Sequence, residues 1–135
     1  MYIVRKSFTF EAAHKLPNHD GHCAQLHGHS WKLTIAISAA MLDVAGPREG
    51  MALDFGLISE MWHKLLLPTL DHQYLNDSLN MNNPTSENVA AWVFEKLRLA
   101  LHNERWLTAP NADKTLLLEE ITIGETCSAE VTYRR

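Results

Sequence analysis

The sequence predicts an α+β fold in which a four-stranded antiparallel sheet carries two helices on one face. Three observations point there. Residues 2–14 and 27–41 alternate in the period of two that suits strands. Residues 56–67 and a stretch opening near Thr85 or Ser86 place apolar side chains at helical spacing. Residues 115–123 and 127–134 then return to an extended pattern. The order is ββααββ, and the 135 residues are expected to form a single domain, 1–135.

In the first strand Phe8, Phe10, Ala12 and His14 share one face. In the second, the odd positions His27, His29, Trp31, Leu33, Ile35 and Ile37 form one face. The even positions Gly28, Ser30, Lys32, Thr34, Ala36 and Ser38 form a small and polar one. The turn-rich "DVAGPREG" follows. Leu57, Ile58, Met61, Trp62, Leu65 and Leu66 make the stripe of the first helix, which is expected to stop at Pro68. Thr85 and Ser86 are good caps for the second helix, with Glu87 favourable in its first turn. Its stripe is Val89, Trp92, Val93, Leu97 and Ala100/Leu101. "GET", 124–126, is the expected turn between the closing strands.

Composition excludes several classes. With 46% hydrophobic and 21% charged residues the chain reads as globular rather than disordered. A domain of this size buries roughly 68% of its unfolded surface, enough for a real core. A formal net charge of −4 argues against bulk nucleic-acid binding. No apolar run reaches a membrane-spanning length, and the first residues show no signal-peptide pattern. Two cysteines make no disulfide framework, so a cytoplasmic setting is expected. Histidine stands out: there are eight, and His14, His19, His22, His27 and His29 fall close together.

His27 and His29, two residues apart on a strand, aim the same way, and His14 ends the neighbouring strand on its apolar face. If these strands pair antiparallel, the three imidazoles meet beneath the helices. Such a set suits Zn²⁺ and leaves a fourth position open for water or substrate. An accidental pair of satisfied histidines is the bland alternative. Cys23 as a fourth ligand, closing a structural site, is another. A jelly-roll oxygenase centre would need a glutamate soon after H-x-H, where this chain has "SWKLT".

A second constellation is "LDH", where Asp71 beside His72 reads either as a proton relay or as an ordinary polar loop. In "GETC", Glu125 sits at a strand end among apolar residues. It is either a buried salt-bridge partner or an anchor for a ligand's N–H groups. His63 and His102 are expected in solvent, and Cys127 as a core thiol.

"FEAAH", "C-x3-H-G-H", "LDH", "NPTSEN" and "ETC", in this order across nearly the whole chain, resemble the 6-pyruvoyltetrahydropterin synthase family. The resemblance is strongest to its bacterial branch, the 6-carboxy-5,6,7,8-tetrahydropterin synthases of queuosine biosynthesis. It implies a tunnelling fold, in which three subunits close a twelve-stranded barrel and two trimers stack as a homohexamer with active sites at subunit interfaces. It also implies that His14, His27 and His29 hold zinc and that Cys23 is the catalytic thiolate that takes a proton from the substrate's side chain. Asp71 and His72 resemble the proton-shuttling pair, and Glu125 the carboxylate that grips the pterin and is often grouped with the catalytic proton-relay residues as well. Thr85 and Ser86 resemble residues that add pterin contacts.

The implied activity is that of a lyase converting 7,8-dihydroneopterin triphosphate into 6-carboxy-5,6,7,8-tetrahydropterin, acetaldehyde and triphosphate. The pyruvoyl product on the same scaffold is the alternative. A non-catalytic, zinc-stabilised binding module is the remote one. A folate-linked branch usually carries glutamate where this chain has Cys23, which argues against that branch. The loop "KLPNHDGHC" is short for the family, so Lys15, His19 and His22 are only candidates for triphosphate contacts. Gln25 replaces a residue that is basic in many relatives.

Overall fold

The computed structural model describes residues 1–103 and 114–135. Strands β1 (Tyr2–His14) and β2 (His27–Ala39) pair antiparallel over their full length, with Phe10 opposite Trp31, Ala12 opposite His29 and His14 opposite His27. A 3₁₀ turn, His22–Ala24, lies between them. Helix α1 (Phe55–Met61) opens on Asp54, whose carboxylate accepts the Gly56 N–H. It continues through a π-helical turn, Trp62–Leu66, into the short α2 (Leu67–Leu70). After β3 (Gln73–Tyr74) and a single turn α3 (Leu75–Ser78) comes α4 (Ser86–Leu101). Strands β4 (Leu116–Gly124) and β5 (Glu130–Tyr133) close the chain.

The sheet order is β3-β1-β2-β4-β5. Neighbours are antiparallel except β3, which runs parallel to β1 at Ala12 and Ala13. The expected four-stranded antiparallel sheet therefore has a fifth strand of two residues at its edge. A segment that short carries no period, so nothing in the sequence marks it.

The first helix also passes Pro68 instead of stopping there. Pro68 falls in the first turn of α2, where a missing N–H costs little. The wider π turn just before it takes up the change in hydrogen bonding.

The helices lie on one face. Phe10, Trp31, Leu33, Ile35, Ile37, Ile121 and Ile123 from the sheet meet Ile58, Met61, Leu66, Val89, Val93 and Leu97 from the helices in one buried cluster. Phe8 stacks on Trp62, with ring centroids 5.0 Å apart. The opposite face is polar. Ser7 and Thr34 share a hydroxyl bond of 2.8 Å, as do Thr122 and Thr132. That face is open only in part: Ala36 and Ser38 are buried, and Ser38 donates to Glu119 at the β2–β4 bulge. No helix among the described residues is long and apolar enough to cross a membrane.

Candidate metal centre and active site

The pairing of β1 with β2 brings the three predicted ligands together. The His14 and His27 ring centroids are 4.5 Å apart, His14 and His29 5.2 Å, and His27 and His29 4.8 Å. One ligand atom of each lies within 4.8 Å of the others. Trp31, the next residue on the same face of β2, closes the floor. Its ring is 4.9 Å from His14 and 5.5 Å from His29, and its indole N–H donates to the Ala12 carbonyl at 3.1 Å.

The other ring nitrogens are spoken for in two of the three. His14 Nδ1 lies 2.8 Å from the Pro84 carbonyl, and His27 Nδ1 lies 2.7 Å from the Gln25 carbonyl. A carbonyl can only accept, so each Nδ1 carries the proton and each Nε2 presents a lone pair. The Nε2 atoms of His14, His27 and His29 are all buried with no hydrogen-bond partner. Orphaned buried nitrogens are costly and rare. Three of them converging, two with their outer nitrogens anchored on carbonyls, form a donor set that fits a zinc-type cation. Burial also lowers the pKa of His14, more than its bond to Pro84 and the charge of Glu125 raise it, which favours the neutral, ligating ring.

Glu125 is the residue brought in from furthest along the chain. It follows β4 directly, and its Oε1 lies 3.7 Å from His14 Nε2. Of the two readings open from sequence, the salt bridge finds no lysine or arginine partner for it among the described residues; the group beside it is the His14 ring, which burial favours in the neutral form. Glu125 lines a pocket of about 480 Å³ with Ser30, Lys32, Thr126, Cys127 and Glu130.

Asp71 and His72 form a pair, with Asp71 Oδ2 2.9 Å from His72 Nδ1. The backbone of Glu11 clasps both: its N–H donates to Asp71 Oδ1 at 3.0 Å, and its carbonyl accepts from the His72 N–H at 2.6 Å. The Glu11 N–H is the main reason the Asp71 carboxyl is held below its usual range, with the His72 ring adding to it and burial opposing. His72 sits at φ +56°, a left-handed conformation unusual for a side chain with a Cβ, and 79% of its side chain is exposed. It shares a pocket of about 540 Å³ with His29, Glu11, Gly28 and Ser30. Ser30 lines both pockets, so His72 and Glu125 flank one strand.

Other candidates are placed less directly. Cys23 is half-buried in the 3₁₀ turn, its carbonyl accepting from Leu16 N–H at 2.8 Å, and it is outside the ligand cluster. The Thr85 hydroxyl caps α4 by accepting from Asn88 N–H at 3.2 Å, and Ser86 begins that helix. Lys15, His19 and His22 are exposed, and His19 Nδ1 is engaged by the Gly21 N–H. His63 and His102 are exposed as expected. Cys127 is not the core thiol expected from its place in a strand: the β4–β5 turn extends beyond it, and it is exposed. The carbonyls of Pro84 and Gln25 and the backbone of Glu11 went unpredicted, because main-chain atoms leave no residue-type signature.

Residues 3–135 match the family model for 6-pyruvoyl tetrahydropterin synthase. A 6-carboxy-5,6,7,8-tetrahydropterin synthase of Synechocystis is 39% identical over 98% of this chain and 93% of its own. One from Haemophilus influenzae is 30% identical over 78% of this chain and 86% of its own. The solved 6-pyruvoyl tetrahydropterin synthase of Caenorhabditis elegans superposes with a TM-score of 0.75 at 26% identity, covering 99% of this chain and 95% of that one. The α+β architecture is thus that of the tunnelling fold, and the chain belongs to the 6-pyruvoyl tetrahydropterin synthase family of enzymes.

Proposed function

We propose that this chain is a zinc-dependent lyase that converts 7,8-dihydroneopterin triphosphate and one water into 6-carboxy-5,6,7,8-tetrahydropterin with release of acetaldehyde and triphosphate, in queuosine biosynthesis in the cytoplasm. The observation that carries the reading is the trio of buried, unpartnered Nε2 atoms beside Glu125. The carboxy product is favoured over the pyruvoyl one by the relatives at 39% and 30% identity, which are named for it.

In this reading His14, His27 and His29 hold Zn²⁺. Bound there, the ion supplies Lewis acidity that stabilises the charge developing as the substrate's side chain loses a proton. Cys23 is the base that takes that proton. Asp71 fixes the His72 ring through its Nδ1, leaving Nε2 to exchange protons at the reacting side chain. Glu125 accepts from the 2-amino group and the adjacent ring N–H of the pterin, a two-acceptor fork facing two donors. Thr85 and Ser86 add pterin contacts. With the Thr85 hydroxyl engaged by Asn88 N–H, its remaining capacity is a second lone pair and its own O–H.

The working form is a homohexamer of two trimers with sites completed between subunits. Two features support it. Beyond Ala12 and Ala13 the outer edge of β1 has no strand beside it among the described residues, an edge that proteins usually cover. The exposed His72 side chain also needs enclosure to act as a relay.

The test is product analysis by mass spectrometry with zinc-loaded protein and 7,8-dihydroneopterin triphosphate. A carboxypterin with acetaldehyde is expected. A pyruvoyl pterin would overturn the product assignment, and no turnover by zinc-loaded hexamer would leave a zinc-stabilised binding module.

A further inference from the structure

We infer that Asn76 is a positioning residue for the metal centre, holding His14 in its ligating orientation from two sides through backbone bonds. The inference rests on the metal reading of the three histidines.

The Asn76 amide makes three hydrogen bonds. Its Oδ1 accepts from Lys15 N–H at 3.0 Å, and its Nδ2 donates to the Lys15 carbonyl at 2.9 Å and to the Asn82 carbonyl at 3.2 Å. Lys15 directly follows His14, so the first two bonds extend the β1 ladder by one rung, with a side chain in place of a strand. Asn82 lies two residues before Pro84, whose carbonyl receives the His14 ring. One amide therefore joins the backbone that carries the His14 Cα to the loop that carries the acceptor for its Nδ1–H. The circuit His14, Lys15, Asn76, Asn82, Pro84 closes on itself.

Neighbouring bonds brace the circuit. Asn83 accepts from Asn88 Nδ2 at 2.8 Å and from Thr85 N–H at 2.9 Å through its carbonyl. On the other side, segment 71–76 lies along β1 rung by rung. Glu11 clasps Asp71 and His72, Ala12 and Ala13 pair with Gln73 and Tyr74, and Lys15 takes Asn76. The same short segment thus carries the relay pair at one end and the brace for a metal ligand at the other.

Both Asn76 donors and one acceptor position are spent on main chain, which leaves little for a ligand. The residue acts through His14 rather than on substrate. Removing it frees the Pro84 loop to drift from His14 Nδ1, so the ring loses the bond that selects its tautomer. Losing such an outer partner typically lowers metal affinity about 10- to 100-fold.

The test is a chelator-competition titration of the purified full chain with Zn²⁺, together with the visible spectrum of the Co²⁺-loaded protein. Asn76→Ala is expected to weaken zinc binding about tenfold, at the low end for an outer partner because it acts one step further out, and to alter the cobalt bands. Asn76→Asp keeps the volume and the bond from Lys15 N–H but sets an oxygen against two carbonyls. It is expected to weaken zinc in the same direction, and it carries the test if the alanine variant does not fold. Unchanged affinity and an unchanged cobalt spectrum in a folded variant, even with a lowered Tm, would overturn the inference. Wild-type protein that takes up no zinc would instead overturn the metal reading on which it rests.

Discussion

Oε1 of Glu125 lies 3.7 Å from Nε2 of His14, one of three buried imidazole nitrogens without a hydrogen-bond partner. The carboxylate lies beside the three histidines that could hold a metal ion, yet it is not in that cluster. Glu125→Gln keeps the shape and gives up one acceptor and the charge. Zinc content should stay unchanged. Hydrogen bonds to charged groups are worth about 1.5–3 kcal/mol, so kcat/KM should fall roughly 10- to 100-fold, mostly through KM. Metal analysis beside steady-state kinetics checks both halves. Lost zinc in the variant would make Glu125 a ligand instead.

Cys23 separates the catalytic reading from a closed structural zinc. Its half-buried position in a turn outside the histidine cluster suits a base rather than a fourth ligand. Cys23→Ala should retain zinc and lose about 10²–10⁴-fold in kcat, the usual contribution of a general base. Zinc loss in that variant would favour the closed site.

The Asp71–His72 pair predicts a signature in both rate and acid stability. In Asp71→Asn the carboxamide no longer selects the His72 tautomer, so kcat should drop by about 10²–10⁴-fold with KM little changed. The sign of the stability effect follows from the lowered pKa, which the Glu11 N–H chiefly causes. The fold favours the ionised carboxylate, so its contribution is present above the ordinary Asp range. It is lost as pH falls through the depressed folded value, below about pH 4. Urea titrations at a series of acid pH values should show a shallower decline for the variant than for the parent.

Lys114 and Asp43 form a buried pair at 3.0 Å, each side chain only 3% exposed, and Lys114 Nζ also donates to the Met51 carbonyl at 3.1 Å. The pair fastens the 43–51 turn to the approach to β4. Lys114→Met removes the ammonium group from a buried carboxylate and should destabilise by up to about 3–5 kcal/mol. Asp43→Asn combined with Lys114→Met should recover part of that loss. Chemical denaturation of the three proteins measures it, with zinc content expected to be unchanged.

Much of this molecule follows from local rules. The period of two in residues 2–14 and 27–41 puts Phe10 and His14 on one side of the first strand and His27, His29 and Trp31 on one side of the second, because alternate strand residues share a side. The cap of α4 was readable as Thr85 or Ser86, because a short hydroxyl side chain suits an unpaired N–H, and Thr85 takes the role. Those are properties of neighbours in the chain, and the sequence alone determined them. Tertiary structure decided whatever depends on groups far apart meeting in space. It ran the first helix past Pro68, and it added β3, whose two residues exist as a strand only because β1 offers them an edge. It put Cys127 in solvent by lengthening a turn. It set Glu125 beside His14 and aimed the Pro84 and Gln25 carbonyls at two imidazoles. A carbonyl is the same in every residue, so only its final position could mark it as part of the site.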